Sequence, residues 1–155
     1  MLKIGEKAPE FCLPNEQEEN VCLKDFKGKW VVIYFYPKDM TPGCTTESCD
    51  FSDSFNAFKD MNTEIIGISP DGAKSHTKFK EKYDLQHILL SDTEHKVLEQ
   101  YGVWQLKKMY GREYMGVARS TFLLDPDGKI AKIWEKVKVK EHVEDVKGSL
   151  NDLIT

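Results

Sequence analysis

The run WVVIYFY, at residues 30–36, constrains the fold more than any other stretch of this chain. All seven residues are β-branched or aromatic, and no polar residue alternates with them. A strand with one face in water would alternate, so this run predicts a strand that is covered on both faces. Pro37 ends it. The chain must therefore build a sheet that carries a layer on each side.

The remaining pattern alternates helices with strands. From spacing and punctuation we predict a hairpin over residues 11–21 with its turn in NEQEEN, helices over 42–61, 73–83, 95–101 and 139–154, strands over 64–69 and 88–90, and a closing hairpin in TFLLDPDGKIAKIWE. Strands separated by helices pair in parallel, and the closing hairpin adds an antiparallel pair. The order predicts an α/β protein with a thioredoxin-like fold: a mixed central β-sheet flanked by helices, with an N-terminal β-hairpin extension. We expect a single domain over residues 1–155.

Charge and hydropathy exclude two classes of partner. The net charge of −4 and the pI near 5.6 argue against nucleic acid, which requires a basic face. No apolar run approaches the length of a membrane span, and MLKIGEKAPEF lacks the apolar core of a signal peptide. We therefore expect a cytoplasmic protein. In that compartment the four cysteines are not expected to form permanent structural disulfides.

The stretch TPGCTTESC, at residues 41–49, carries two of those cysteines. Thr41 suits the N-cap of the predicted helix, and Pro42 suits its first position. Cys44 then occupies the third position, where unpaired backbone N–H groups and the helix dipole favour a thiolate. Gly43 leaves the approach open. Cys44 is thus a candidate nucleophile, because the thiolate is the reactive form of cysteine.

Cys49 follows five residues later on the same predicted helix. In an ideal helix this spacing puts the two Cα atoms about 8.6 Å apart, beyond the ~7 Å limit for a disulfide. The two sulfurs can join only if the first turns unwind. The pair is therefore a conditional one, and the alternative is that Cys49 simply packs.

The segment YFYPKDMTPGCTTESCDFSD resembles the active-site signature of the peroxiredoxin family, P-x-x-x-T-x-x-C, with Pro37, Thr41 and Cys44 at its defined positions. The second cysteine, Cys49, resembles that of the PrxQ subgroup, also called bacterioferritin comigratory protein. The opening GEKAPEFCLP and the later YGVWQLKKMYGREYMGVARSTFLLDPDGKI are similar to the same family, so the resemblance covers nearly the whole chain.

The resemblance implies a thiol-dependent peroxidase that reduces hydrogen peroxide and organic hydroperoxides. Cys44 would be the peroxidatic cysteine and Cys49 the resolving cysteine, with a Cys44–Cys49 disulfide that thioredoxin or a similar dithiol reduces. Arg119 would stabilise the leaving oxygen, Thr41 would orient the peroxide, and Pro37 would shield the pocket from water. No cofactor and no metal is implied, and we expect a monomer because the resolving thiol lies in the same chain.

Two alternatives stay open at this stage. One is a one-cysteine peroxidase in which Cys49 is inert and an external thiol resolves the sulfenic acid. The other is a non-enzymatic redox sensor or a holdase-like binding protein that uses the same reactive cysteine. A thioredoxin-type reductase is disfavoured because the chain contains no C-x-x-C.

Several other residues invite weaker hypotheses. Cys12 and Cys22 flank the N-terminal turn, and we expect ordinary small apolar side chains there, with an alternative resolving partner or a hairpin disulfide as minor possibilities. Glu47 could join the hydrogen bonds of the site or be an exposed acid of the first turns. Trp104 and Tyr110 are expected to pack. The four histidines are scattered and do not predict a metal site; they are His76, His87, His95 and His142.

Overall fold

The computed structural model describes residues 2–155, which form nine strands and five α-helices. The strands are β1 (Cys12–Pro14), β2 (Asn20–Cys22), β3 (Trp30–Phe35), β4 (Thr63–Ser69), β5 (Ile88–Ser91), β6 (Trp104–Met109), β7 (Arg112–Val117), β8 (Ser120–Leu124) and β9 (Ile130–Trp134). The helices are α1 (Pro42–Asp53), α2 (Phe55–Asp60), α3 (Ala73–Tyr83), α4 (Lys96–Gln100) and α5 (His142–Ile154). Within residues 2–155, none of these helices combines the length and the apolar character that crossing a membrane requires.

Five strands form the central sheet in the order β5-β4-β3-β8-β9. The first three pair in parallel, and β8 and β9 join as antiparallel strands. The predicted central strand is β3, with parallel β4 on one side and antiparallel β8 on the other. The mixed, thioredoxin-like sheet that the element order predicted is confirmed.

The side chains of β3 pack alternately into two separate core layers. Ile33 and Phe35 enter one layer, together with residues of α4 and the N-terminal segment. Val32 and Tyr34 enter the other layer, beneath α1, α3 and α5. Because successive side chains of a strand point to opposite faces, the two layers lie on opposite faces of the sheet. This explains why the run at residues 30–36 contains no polar alternation.

The predicted helix over residues 42–61 is interrupted, and this part of the prediction is wrong. Ser54 has φ −96° and ψ 7°, and it separates α1 from α2. Its hydroxyl oxygen accepts a hydrogen bond of 3.2 Å from Lys147 of α5. The run SDSFN at residues 52–56 contains only residues of modest helix propensity, so a break in the helix costs little here.

The N-terminal hairpin is present, and it is closed by a bond that we did not favour. β1 and β2 pair antiparallel around a turn in which the Asn15 side chain accepts from two backbone N–H groups. Cys12 and Cys22 face one another in this register and form a disulfide. The expectation of two ordinary small apolar side chains is therefore wrong, because the hairpin register brings the two thiols together.

A second hairpin, β6–β7, was not predicted. Its turn is Tyr110-Gly111, and both residues have positive φ, 52° and 76°, as a two-residue hairpin turn requires. Tyr110 is 98% exposed, so its predicted packing role is wrong. Trp104 does pack, with its ring stacked on His95 at a centroid distance of 4.0 Å.

Gly67 offers a test of how closely the sheet packs. A Cβ atom at Gly67 would lie 2.7 Å from the Tyr34 ring and 2.9 Å from Leu89. Because both neighbours are fully buried, Gly67→Ala should lower the free energy of unfolding by about 2 kcal/mol in urea titrations. Gly148→Ala is the control, since Gly148 lies in α5 with open space around it. This variant should raise the free energy of unfolding by up to ~1 kcal/mol. Equal stability of Gly67→Ala and wild type would contradict this packing.

Candidate active site

The turn between β3 and α1 delivers Cys44 to the start of a helix. Thr41 is the N-cap residue, in an extended conformation, and Pro42 is the first helical residue. The Thr41 hydroxyl does not cap the helix but donates to the Lys38 carbonyl at 2.8 Å. Cys44 is 1% exposed and occupies the third helical position. The backbone N–H groups at this end have no partner inside the helix, as predicted.

Arg119 reaches this helix from the sheet. It directly precedes β8, and its Nη2 donates to Cys44 Sγ at 3.2 Å. Its Nη1 donates to Glu47 Oε1 at 2.7 Å. A Cβ at Gly43 would lie 3.2 Å from Arg119 Nη2, so glycine at this position leaves room for the guanidinium. The structure thus brings Arg119 and Cys44 together across 75 residues of sequence.

Glu47 lies inside the site rather than on the surface. Its side chain is fully buried, and its Oε2 has no hydrogen-bond partner among residues 2–155. Burial raises the pKa of the Glu47 carboxyl to about 7, and the nearby Arg119 guanidinium opposes that shift. Of the two interpretations of Glu47, the structure therefore supports membership of the hydrogen-bonded site.

A buried carboxylate fixes the turn that leads into α1. Asp39 accepts a hydrogen bond of 2.6 Å from the Tyr36 hydroxyl and one of 2.8 Å from the Ser75 hydroxyl. Nδ1 of His76 lies 2.7 Å from the same carboxylate, and the Asp39 N–H donates to the Asp71 side chain at 2.7 Å. The turn that carries Pro37 and Thr41 is thereby tied to α3.

A second polar cluster holds α1 itself against the sheet. The hydroxyls of Tyr34 and Ser48 share a hydrogen bond of 2.9 Å, and the Tyr34 hydroxyl lies 2.5 Å from His87 Nε2. Burial lowers the pKa of His87 to about 3, with a smaller contribution from Lys80, so this histidine is neutral at physiological pH. The Phe51 ring stacks on Tyr34 at 4.5 Å. These contacts fix the middle of α1.

Cys49 lies on α1 as a free thiol and is half-buried. The helix that separates it from Cys44 is intact, so the two sulfurs are held apart as the spacing predicted. Burial raises the pKa of the Cys49 thiol, and the acids Asp53 and Asp50 raise it further. In the intact helix Cys49 is therefore a weak nucleophile.

Sequence reasoning missed three parts of this neighbourhood. Asp39 and His76 belong to the network behind the turn, but their 37-residue separation carried no local signal. Lys107, on the unpredicted β6–β7 hairpin, also lies near the site. Its pKa is lowered by burial and by Arg119, while Cys44 acts in the opposite direction. Pro37 is half-buried at the start of the turn.

Comparisons with known proteins identify the family of the chain. The model of the AhpC/TSA family matches residues 4–133. Peroxiredoxin Bcp of Bacillus subtilis is 54% identical over 152 residues, which cover 98% of this chain and 97% of that protein.

Two solved structures are similar over most of their length. PrxQ of Xylella fastidiosa, a cysteine-to-serine variant, has a TM-score of 0.95 at 33% identity and covers 100% of this chain and 99% of its own. The bacterioferritin comigratory protein of Xanthomonas campestris, studied for its alkyl peroxide reduction activity, has a TM-score of 0.89 at 38% identity, with 94% and 92% covered.

The family match covers far more than half of the chain, and the relatives share its full length. Within this fold, the buried Cys44 at the start of α1 is contacted by Arg119. Peroxide is the oxidant that a peroxiredoxin consumes, and a thiol reductant restores it. The chain belongs to the AhpC/TSA family and, within it, to the Bcp and PrxQ peroxiredoxins.

Proposed function

We propose that Cys44 is the peroxidatic cysteine of this peroxidase and that Arg119 stabilises the charge that develops during the reaction. The contact that supports this most directly is the hydrogen bond of 3.2 Å from Arg119 Nη2 to Cys44 Sγ. Arginine keeps its positive charge at any physiological pH and presents its donors in a fixed fork. The same guanidinium can therefore contact both the sulfur and an oxygen that approaches it.

The proposed reaction begins when the Cys44 thiolate attacks one oxygen of the peroxide. The S–O bond forms as the O–O bond breaks, and the departing oxygen takes up a proton and leaves as water or an alcohol. The thiolate becomes a sulfenic acid. Negative charge grows on the departing oxygen, and both Arg119 and the free N–H groups at the start of α1 can donate to it.

Thr41 and Pro37 have supporting roles in this proposal. Because the Thr41 hydroxyl donates its hydrogen bond to the Lys38 carbonyl, its oxygen keeps lone pairs that can accept a hydrogen bond from the peroxide O–H. Pro37 has no backbone N–H, so it limits the polar groups that water could contact at the mouth of the site.

Cys49 is the proposed resolving cysteine. Its thiol condenses with the sulfenic acid of Cys44, which forms the disulfide and releases water. The first turns of α1 must unwind for this step, because the intact helix separates the two sulfurs. Unwinding also exposes Cys49 to water, which removes the burial that raises the pKa of its thiol. A dithiol of the thioredoxin type then reduces the disulfide by thiol–disulfide exchange.

The same proposal includes the substrates, the oligomeric state and the location of the enzyme. The alkyl peroxide reduction of the Xanthomonas relative supports organic hydroperoxides as substrates beside hydrogen peroxide. The whole chain, residues 1–155, acts as one domain and as a monomer, since both proposed thiols lie on one helix. A cytoplasmic location is proposed because thioredoxin-type reductants keep thiols reduced there.

One observation favours a second candidate, the one-cysteine peroxidase. The raised pKa of Cys49 makes it slow to attack while the helix is intact, so an external thiol could reach the sulfenic acid first. The sensor and holdase alternatives have no comparable support, because the family match shows an enzyme.

Serine variants separate the two enzymatic mechanisms. Peroxide consumption is measured with thioredoxin, thioredoxin reductase and NADPH. Cys44→Ser should lose nearly all of the wild-type turnover, because the activated thiolate at the start of α1 is missing. Cys49→Ser should form the sulfenic acid at the wild-type rate, but its thioredoxin-linked turnover should fall about tenfold or more. Cys22→Ser is the control and should keep full turnover. Wild-type turnover in Cys49→Ser would favour the one-cysteine mechanism.

Oxidation should change the dynamics of one segment. If the Cys44–Cys49 disulfide requires unwinding, amide hydrogen exchange across residues 42–52 should be faster in the oxidised protein than in the reduced protein. α3 provides the internal control, because exchange there should be equal in both states. Equal protection of residues 42–52 in the two redox states would count against the proposed resolution step.

Glu47 should make stability depend on pH. Below about pH 4.5 the Glu47 carboxyl is protonated in both the folded and the unfolded chain. As the pH rises, the carboxyl ionises first in the unfolded chain, which favours unfolding. In the folded chain it ionises only when the pH passes its pKa of about 7. The stability that Glu47 contributes is therefore present at low pH and lost by pH 7. Relative to Glu47→Gln, the wild type should lose on the order of 3 kcal/mol over this range.

Urea unfolding of the reduced protein from pH 4.5 to 8 measures this difference. Glu81→Gln is the control, because Glu81 is an exposed acid of α3. Its curve should run parallel to that of the wild type. A parallel curve for Glu47→Gln as well would show that the buried carboxyl is not protonated in the folded protein.

A further inference from the structure

The N-terminal hairpin holds a second pair of cysteines. Cys12 of β1 and Cys22 of β2 are direct partners in the antiparallel register, with 4.0 Å between their Cα atoms, and a disulfide joins them. They are ten residues apart in sequence, so the bond closes only the loop of the hairpin. No step of the peroxide chemistry described above uses them.

The position of this disulfide makes it accessible from solvent. Along β1, Leu13 is buried whereas Cys12 is exposed, as the alternation of a strand requires. Cys22 is half-buried on the same outer face as Cys12. A dithiol in solution can therefore approach the sulfurs without any opening of the core.

The strand that carries Cys12 and the helix that carries Cys44 pack in different core layers. Leu13, the neighbour of Cys12, packs in the core layer that contains Ile33 and Phe35. Cys44 packs in the other layer, with Tyr34 and Phe51. Since these layers are on opposite faces of the sheet, neither Cys12 nor Cys22 is a neighbour of Cys44 in the folded chain, and the two pairs of cysteines are treated as separate sites.

We propose that Cys12 and Cys22 form a second redox-active site, independent of Cys44, which closes and releases the N-terminal hairpin. Peroxide oxidises the pair: one thiol attacks the peroxide to give a sulfenic acid and water or an alcohol, and the second thiol displaces a second water as the S–S bond forms. A dithiol reductant returns two electrons and two protons by exchange and is itself oxidised to a disulfide. The oxidant is the family's own substrate class.

The folded conformation of the hairpin depends in part on the Cys12–Cys22 disulfide. Each strand has only three residues, and an isolated two-stranded hairpin is marginally stable in water. The flanking residues Phe11 and Leu23 are buried and are linked by a backbone hydrogen bond of 3.0 Å. The disulfide limits the conformations that the hairpin can adopt when it unfolds. Reduction of the disulfide therefore lowers the stability of the folded hairpin.

The hairpin also contacts the helix that supports the active-site turn. At its tip, Glu16 Oε1 lies 3.0 Å from Lys80 Nζ, and the Glu16 carbonyl accepts from the Thr77 hydroxyl at 3.3 Å. Both partners belong to α3. Release of the hairpin therefore frees one surface of α3, whereas the contacts of Asp39 on that helix do not involve the hairpin.

The test uses a protein that carries Cys44→Ser and Cys49→Ser, so that only the second pair can react. It is equilibrated with mixtures of reduced and oxidised dithiothreitol, its free thiols are alkylated, and the mass is measured. We expect two thiols to disappear together and to return on reduction. Hydrogen peroxide alone should also close the pair. Two thiols that remain free under every oxidising mixture would overturn the proposal.

Stability supplies the second measurement, with Cys12→Ser/Cys22→Ser in an otherwise native chain. Under oxidising conditions this variant should melt roughly 5 °C below the wild type. In excess dithiothreitol the difference should vanish, because the wild type then lacks the bond as well. Thioredoxin-linked peroxide turnover should be unchanged. A large loss of turnover would contradict independence from Cys44, whereas loss of turnover in Cys44→Ser tests only the proposed function above.

Discussion

Arg119 donates to two atoms of the same helix, the sulfur of Cys44 and a carboxylate oxygen of Glu47. This contact joins the start of β8 to the start of α1 and sets the positions of Arg119 and Cys44 relative to one another. It also gives the fully buried Glu47 carboxyl its one hydrogen bond within residues 2–155. A buried carboxyl without a partner is costly, so the site depends on the arginine for its stability as well as for its chemistry.

The way α1 is anchored changes along its length. Between Cys44 and Phe51 the sequence is TTESCD, without a large apolar residue, so these turns are held by polar contacts of Glu47 and Ser48. Phe51, near the end of α1, and Phe58 of α2 pack in the core. Polar contacts can be exchanged for water when a segment opens, whereas apolar packing cannot. In α1 the turns around Glu47 and Ser48 are therefore held by polar contacts, whereas Phe51 anchors the end of the helix by apolar packing.

The helices and strands that local sequence patterns determine were mostly predicted, whereas contacts between residues far apart in the sequence were missed. The run at residues 30–36 and the Thr41-Pro42 start placed the central strand and Cys44 correctly, because composition and spacing determine both. The β6–β7 hairpin was missed because its strands are largely exposed, so core packing does not impose a clear pattern on their sequence. Partners such as Asp39 and His76 meet only in three dimensions. The Cys12–Cys22 bond required a register that residue types alone do not determine.

The interruption at Ser54 limits how far a disturbance of α1 can travel. Helix formation is cooperative, so unwinding that begins in an unbroken helix tends to spread along it. Here α1 ends after twelve residues, and α2 begins with its own hydrogen bond from the Phe58 N–H to the Ser54 carbonyl. Phe58 is fully buried and stays with the core. Ser54 thus forms a boundary between α1, which would unwind in the proposed resolution step, and α2, which would keep its helical structure and its core packing.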